Sequence, residues 1–208
     1  KAITGILPLS EGEIQICGVS AAQLTAAERA RKTAYLPQGK NTPDITAGRM
    51  VLHGRFPYLS YPRKYSRKDY EAAEEAMKKM DICCLADRPL SQLSGGTRQK
   101  VYIAMALAQR SPVILMDEPT SYLDIGQQMK LIKTLRELAE EEKTVVLVLH
   151  DLLSALKFSH KICVMSEGRL LVQDAPEKIL ESGVLKRIYG VEVRSLSTPR
   201  GEQYYYEM

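Results

Sequence analysis

No stretch of this chain approaches the roughly 20 consecutive apolar residues that a bilayer-spanning helix needs, which excludes an ordinary transmembrane helix. No signal peptide is visible, although the chain also lacks a starting Met and an absent leading segment would carry one. Cysteine is sparse: Cys17, Cys83, Cys84 and Cys163 form no C-x-x-C pair, and His occurs only three times. A zinc site or a disulfide framework is therefore disfavoured, and a reducing cytosol fits. Adjacent Cys83 and Cys84 read as a buried structural pair. Neither sign of charge is in excess, since 29 basic against 25 acidic residues leaves +4. The densest basic cluster, Arg63, Lys64, Arg67 and Lys68, reads as a solvated face, which argues against nucleic acid or lipid headgroups as partners. Internal repeats and low-complexity linkers are also missing. What remains, 208 residues of which 45% are hydrophobic, fits one globular domain with room for a subdomain.

Two apolar runs stand out, "VILM" (113–116) and "TVVLVL" (144–149). Both are rich in β-branched residues without polar alternation, as expected of strands buried on both faces of a parallel sheet. Between them Met129, Ile132, Leu135 and Leu138 recur at helical spacing and predict a crossover helix over 124–143. A helix over 152–159, a strand over 161–166 and a strand over 170–174 follow, the last two as a hairpin. The class is α/β. Residues 46–110 differ: three helical segments, one opening on the capping-box-like pair Ser66 and Asp69, predict a helical subdomain inserted in the sheet. The last segment predicts two short strands around Pro199–Gly201, with Tyr204, Tyr205 and Tyr206 packing or pairing them. The first segment, "KAITGILPLSEGEIQICG", reads like the tail of a helix that began earlier.

Four short motifs carry chemistry. In "VILMDEPTSYLD" (113–124) a buried strand ends in Asp117 and Glu118, at the edge where parallel sheets bind ligands. One carboxylate could order a Mg²⁺ hydration shell while the other activates water; a helix-capping acidic turn is the plainer alternative. In "LSGGTRQK" (93–100), Ser94, Gly95 and Gly96 open a helix and expose consecutive N–H groups to an anion. Taken alone, an ordinary helix start with Ser94 as N-cap is the better reading. His150, in "LVLHD", ends the second apolar strand, where a structural histidine is the ordinary case. Gln38, in "AYLPQG", means little by itself.

Their order does mean something. Gln38, Ser94-Gly95-Gly96, Asp117-Glu118, Asp124 and His150 in succession resemble the ATP-binding-cassette ATPases, the motor subunits of ABC transporters, across essentially the whole chain. "HGRFPY" (53–58), "ADRPLSQLSGG" (86–96), "AMALAQ" (104–109) and "VLVLHDL" (146–152) resemble the subgroup serving iron-siderophore, haem and cobalamin importers. The resemblance implies a P-loop NTPase-type core with ATP and Mg²⁺ as cofactors. It implies that Gln38 touches Mg²⁺ and senses the permease, that Asp117 holds Mg²⁺, and that Glu118 is the general base. By the same resemblance, His150 contacts the γ-phosphate and Ser94, Gly95 and Gly96 bind ATP held by the opposite subunit. Asp124 communicates across that dimer. Thr97 departs from the commoner Gln after "LSGG", beyond the core anion-binding groups. Residues 40–92 hold the surface that docks the permease, or else form a soluble loop. The implied partners are transmembrane permease subunits, a second ATPase subunit and, indirectly, a substrate-binding protein, at the cytoplasmic face of the cell membrane.

The family's phosphate loop has no counterpart here, because no G-x-x-x-x-G-K-[ST] occurs in the sequence. The expectation is an N-terminally truncated ATPase that lacks the loop's strand and the early β-subdomain. Such a chain does not hold ATP in cis with normal affinity. Two other readings stay open: an inactive fragment or interaction module, and a non-transport ABC protein acting on nucleic acid. The latter usually carries a coiled coil or a second cassette, and neither is visible.

Overall fold

A computed structural model describes residues 1–39, 42–199 and 201–207. The chain divides into two compact units, Lys1–Val148 and Leu149–Met208.

The first unit opens without a helix. Gly5 N–H donates to Ala2 O and Ile6 N–H to Lys1 O, and the segment stays a pair of turns. Gly5 sits at φ +74°, and Ile3, Ile6, Leu7 and Leu9 are exposed. One turn of helix with no packed apolar face is not self-supporting, so the expected helical tail does not form. A small antiparallel hairpin follows, β1 (Gln15–Ile16) with β2 (Val19–Ser20). Then comes α1 (Ala26–Lys32), whose first turn is closed by Thr25 and Glu28 capping one another.

α1 leads into β3 (Thr33–Leu36), the first strand of a parallel sheet ordered β3-β4-β5, with β4 (Val113–Asp117) central and β5 (Thr144–Val148) at the other edge. Leu36 pairs with Met116, Met116 with Leu147, and Asp117 with Val148, so all three strands end at one side. β4 buries Ile114 and Met116 as expected. β5 does not match the expectation of burial on both faces: Val145 and Leu147 pack on the core, while Val146 and Val148 stand 48% and 52% exposed. The crossover helix, α5 (Ile125–Glu140), buries Ile132, Leu135 and Leu138 as expected, and departs from the expected stripe only at Met129. Leu131, Leu135 and Leu138 join the core and Met129 faces outward. Strict spacing by threes drifts around a helix, so Met129 lies about 180° from Leu138.

Between β3 and β4 lie α2 (Ala47–His53), α3 (Arg67–Lys79) and α4 (Gly95–Ala108). α4 carries Val101, Ile103, Ala104 and Ala108 with no exposed surface, as befits a helix packed all round. The end of α2 meets it so closely that a Cβ on Gly54 would sit 2.1 Å from the Met105 carbonyl oxygen. The Cys83–Leu85 turn shows Cys83 and Cys84 exposed, against the expected buried pair: its flanking Ile82 and Leu85 take the core-facing places instead.

One polar hub ties the helices to the sheet. Arg55 and Asp69, whose side chains are 11% and 8% exposed, pair at 2.9 Å. Arg55 also donates to the carbonyls of Ala108 and Gln109 at the end of α4, where a helix accumulates negative partial charge, and stacks 3.9 Å over the Tyr58 ring. Gln109 in turn donates to Thr33 O at the start of β3 and to Ser111. Asp69 accepts from the Ser66 amide and hydroxyl, which opens α3. Burial pushes the Asp69 carboxyl up, and the bonds from Ser66 and Arg55 outweigh it, leaving its pKa below the ordinary 3.8.

The second unit holds α6 (Leu152–Phe158), a hairpin of β6 (Ile162–Ser166) and β7 (Arg169–Asp174), α7 (Pro176–Glu181), α8 (Val184–Tyr189), and a hairpin of β8 (Glu192–Thr198) and β9 (Gly201–Glu207). The first hairpin turns on Glu167 and Gly168, both at positive φ, the geometry that matches strand twist. Its core is Leu156, Val164, Ile179, Val184 and Leu185, with Tyr204 packed against it. Tyr205 and Tyr206 remain about half exposed, at 47% and 45%. The terminal pair of strands is as expected; Arg200, between them in sequence, lies outside the described residues, as do residues 40 and 41 of the segment expected to dock a permease.

Removing one partner of the buried pair strands the other, at a cost of about 3–5 kcal/mol. Urea unfolding should therefore show Arg55→Met losing stability on that scale, with Arg55→Met/Asp69→Leu recovering most of it. Asp69 has a lowered folded pKa, so its contribution is complete above about pH 4 and fades as pH falls through the folded value. Asp69→Asn should flatten that acid limb.

Candidate functional site

The candidate residues hang from the ends of the parallel strands. Gln38 stands exposed two residues beyond β3. Asp117 closes β4 and is half-buried. Glu118 follows at φ +49°, and its amide donates to Val148 O at 3.1 Å, which extends the β4–β5 ladder one step past the last strand pair. A non-glycine residue in the left-handed region costs about 1–2 kcal/mol, and the surroundings hold it there. Ser121 N–H donates to Glu118 O, the Ser121 hydroxyl reaches the Glu118 carboxylate at 3.4 Å, and Pro119 is fully buried.

Ser94 caps α4, its hydroxyl accepting from Thr97 N–H at 3.3 Å. The Thr97 hydroxyl lies 2.9 Å from that of Ser94, so the residue that departs from the commoner Gln touches Ser94, the first of the expected anion-binding groups of the "LSGG" signature. Gly95 and Gly96 open the helix against Tyr122. A Cβ on Gly96 would stand 2.8 Å from Tyr122 O, whereas one on Gly95 would meet the Tyr122 side chain at 3.7 Å or more. Asp124 caps α5, accepting from Gln127 N–H at 2.8 Å. Its neighbours Tyr122 and Ile125 are 83% and 77% exposed, an apolar pair left facing outward beside the signature.

The structure thus brings Ser94, Gly95, Gly96, Asp117, Glu118 and Asp124 onto one contiguous segment pair. His150 is exposed and belongs to the second unit, two residues after β5. Three participants escaped the sequence reading. Tyr35 pairs with Leu115, which puts it on the same sheet face as Asp117. Burial raises the Tyr35 phenol pKa, and the Asp117 charge adds to the shift. Gln99, buried in α4, donates to Pro119 O at 2.9 Å. Gln128 in α5 donates to the carbonyls of Thr120 and Leu123. Strand alternation from Asp117 could have pointed to Tyr35; nothing in the sequence marks the two glutamines.

Among the described residues no cluster of three or more His, Cys, Asp or Glu gathers to cage a metal. The donors at the strand ends, the Asp117 carboxylate and the Gln38 amide oxygen, are hard oxygens. They suit Mg²⁺, which keeps most of its waters and takes one or two protein oxygens beside substrate phosphates. No helix among the described residues is long and apolar enough to cross a membrane.

Comparison with known proteins agrees with this geometry. The model of the family described as "ABC transporter" matches residues 1–121. The chain is 36% identical over 201 residues to the "Probable siderophore transport system ATP-binding protein YusV" of Bacillus subtilis, covering 96% of this chain and 73% of that one. It is 38% identical over 200 residues to the hemin import ATP-binding protein HmuV of Rhodococcus jostii, covering 95% and 68%. Among solved structures, the dimeric ATP-binding cassette MJ0796 in a post-hydrolysis state, bound to ADP and Pi, superposes with a TM-score of 0.69 at 30% identity, covering 80% of this chain and 74% of that one. The fold is therefore that of an α/β ATP-binding cassette. The chain belongs to the ABC transporter family.

The two signature glycines should respond oppositely to a methyl group. Gly96→Ala forces a close contact with backbone and should lose about 1–3 kcal/mol, read as a lower urea midpoint. Gly95→Ala meets only ordinary contacts and should be neutral or slightly stabilising.

Proposed function

We propose that this chain is the ATP-hydrolysing subunit of an ABC importer for iron-siderophore or haem, with cobalamin as the third ligand of the same group. The observation that carries the reading is the half-buried Asp117–Glu118 pair at the end of β4, joined to the Ser94–Gly96 helix start in a chain whose relatives are named for siderophore and hemin import.

On this reading Asp117 and Gln38 hold Mg²⁺, which supplies charge neutralisation at the triphosphate. Glu118 accepts the proton of the attacking water. Its half-buried place, with its backbone amide and carbonyl both bonded, gives it one aim, as a general base requires. His150 contacts the γ-phosphate and stabilises developing charge. Ser94, Gly95 and Gly96 present the start of α4 to ATP held by a second copy, and exposed Tyr122, Asp124 and Ile125 lie at that interface. The segment 40–92 holds the surface that docks the transmembrane permease. Its exposed Tyr61 and the Arg63 guanidinium 5.1 Å over Phe56 offer the aromatic and basic surface for it. The subunit works at the cytoplasmic face of the membrane, meets the substrate-binding protein only through the permease, and takes no nucleic acid. The 208 residues contain no G-x-x-x-x-G-K-[ST], and on this reading they do not by themselves hold Mg·ATP with micromolar affinity.

In the ATPase assembled with its permease, Glu118→Gln should lower turnover by at least about 100-fold and accumulate ATP-bound dimers on size exclusion. Full turnover by that variant would remove Glu118 from the role of base.

A further inference from the structure

The turn that carries Glu118 is held from outside by side-chain amides. We infer that Gln99 is a positioning residue that couples the signature start of α4 to the aim of Glu118 within one subunit. This rests on the proposed role of Glu118.

Gln99 lies three residues after Gly96, on the same face of α4. It is 8% exposed and donates to Pro119 O at 2.9 Å in a buried contact. Gly96 on that face is pressed against Tyr122 O. From the far side Gln128 donates to Thr120 O at 3.3 Å and Leu123 O at 3.0 Å. The carbonyls of residues 119, 120 and 123 are thus bonded by two glutamine side chains, and that of residue 122 lies against a glycine. Glu118, at φ +49°, is the residue immediately before this clamped stretch. The only one of these clamps that originates beside Ser94–Gly96 and reaches the residue next to Glu118 is the Gln99 amide. A displacement of the α4 start by an anion bound at the signature therefore reaches Pro119 through one hydrogen bond and changes the angle at which Glu118 is presented. Glutamine suits the task because its amide spans the gap while carrying no charge into a buried site.

Hydrogen exchange followed by mass spectrometry on the nucleotide-free 208-residue chain tests the link without any ATP turnover. In Gln99→Met, which keeps the volume and removes the donor, exchange over 117–123 should rise about tenfold, the equivalent of one net hydrogen bond, while β3 keeps wild-type protection. Gln99→Glu adds a readout that packing alone does not move. Its buried carboxyl, when protonated at about pH 5, donates to Pro119 O and restores protection relative to wild type at the same pH; ionised at about pH 8, it loses it. In the complete transporter Gln99→Met should lower kcat about tenfold with KM for ATP unchanged. Wild-type exchange in Gln99→Met, or a Gln99→Glu profile that runs parallel to wild type across pH, would overturn the link. Absence of ATP turnover in the wild-type transporter would instead count against the role of Glu118, leaving the exchange result to decide Gln99.

Discussion

Everything functional in the first unit depends on β4 being paired in parallel on both sides. The in-register ladders β3–β4 and β4–β5 bring three strand ends to one edge of the sheet. Without that pairing, Asp117 would be a carboxylate on a loop. With it, Asp117 closes a strand whose inward residues Ile114 and Met116 are 2% exposed. Parallel pairing needs crossover connections, and both crossovers are put to use: one contains α2, α3 and α4, the other is α5. The sheet and the helices that serve it are products of one constraint.

That constraint passes to the turn after β4. Its backbone runs through Glu118 at a positive φ that a glutamate does not favour, and it stays there because its carbonyls are held by residues of α4 and α5. The hub of Arg55, Asp69, Gln109 and Ser66 does related work at the other end of α4, anchoring the helix to the start of β3 through Thr33 O. α4 therefore reaches from the signature glycines to the root of the strand that leads to Gln38.

Much of this was legible in the sequence because it is periodic or local. The strand at 113–117, the caps at Ser66 and Ser94, and the hairpin at 162–174 are each set by a few neighbouring residues. The motif order implied the ABC family. The misreadings have physical causes. Val146 and Val148 look like core residues, but β5 is an edge strand of this sheet with one open face. Met129 satisfied a three-residue repeat that a 3.6-residue helix does not keep. Gln99, Gln128 and Gly54 matter through tertiary approach, which no local pattern encodes. Cys83 and Cys84 were assigned by composition, and composition does not say which side of a turn faces water.

The central claim is that two adjacent carboxylates divide the work, Asp117 toward the metal and Glu118 toward water. Electron paramagnetic resonance of Mn²⁺ substituted for Mg²⁺, recorded with ATP on the assembled transporter, separates them directly. The account predicts a protein-bound Mn·ATP signal that survives Glu118→Gln and is lost or strongly weakened in Asp117→Asn. Equal signals in the two variants, or loss in Glu118→Gln alone, would contradict it.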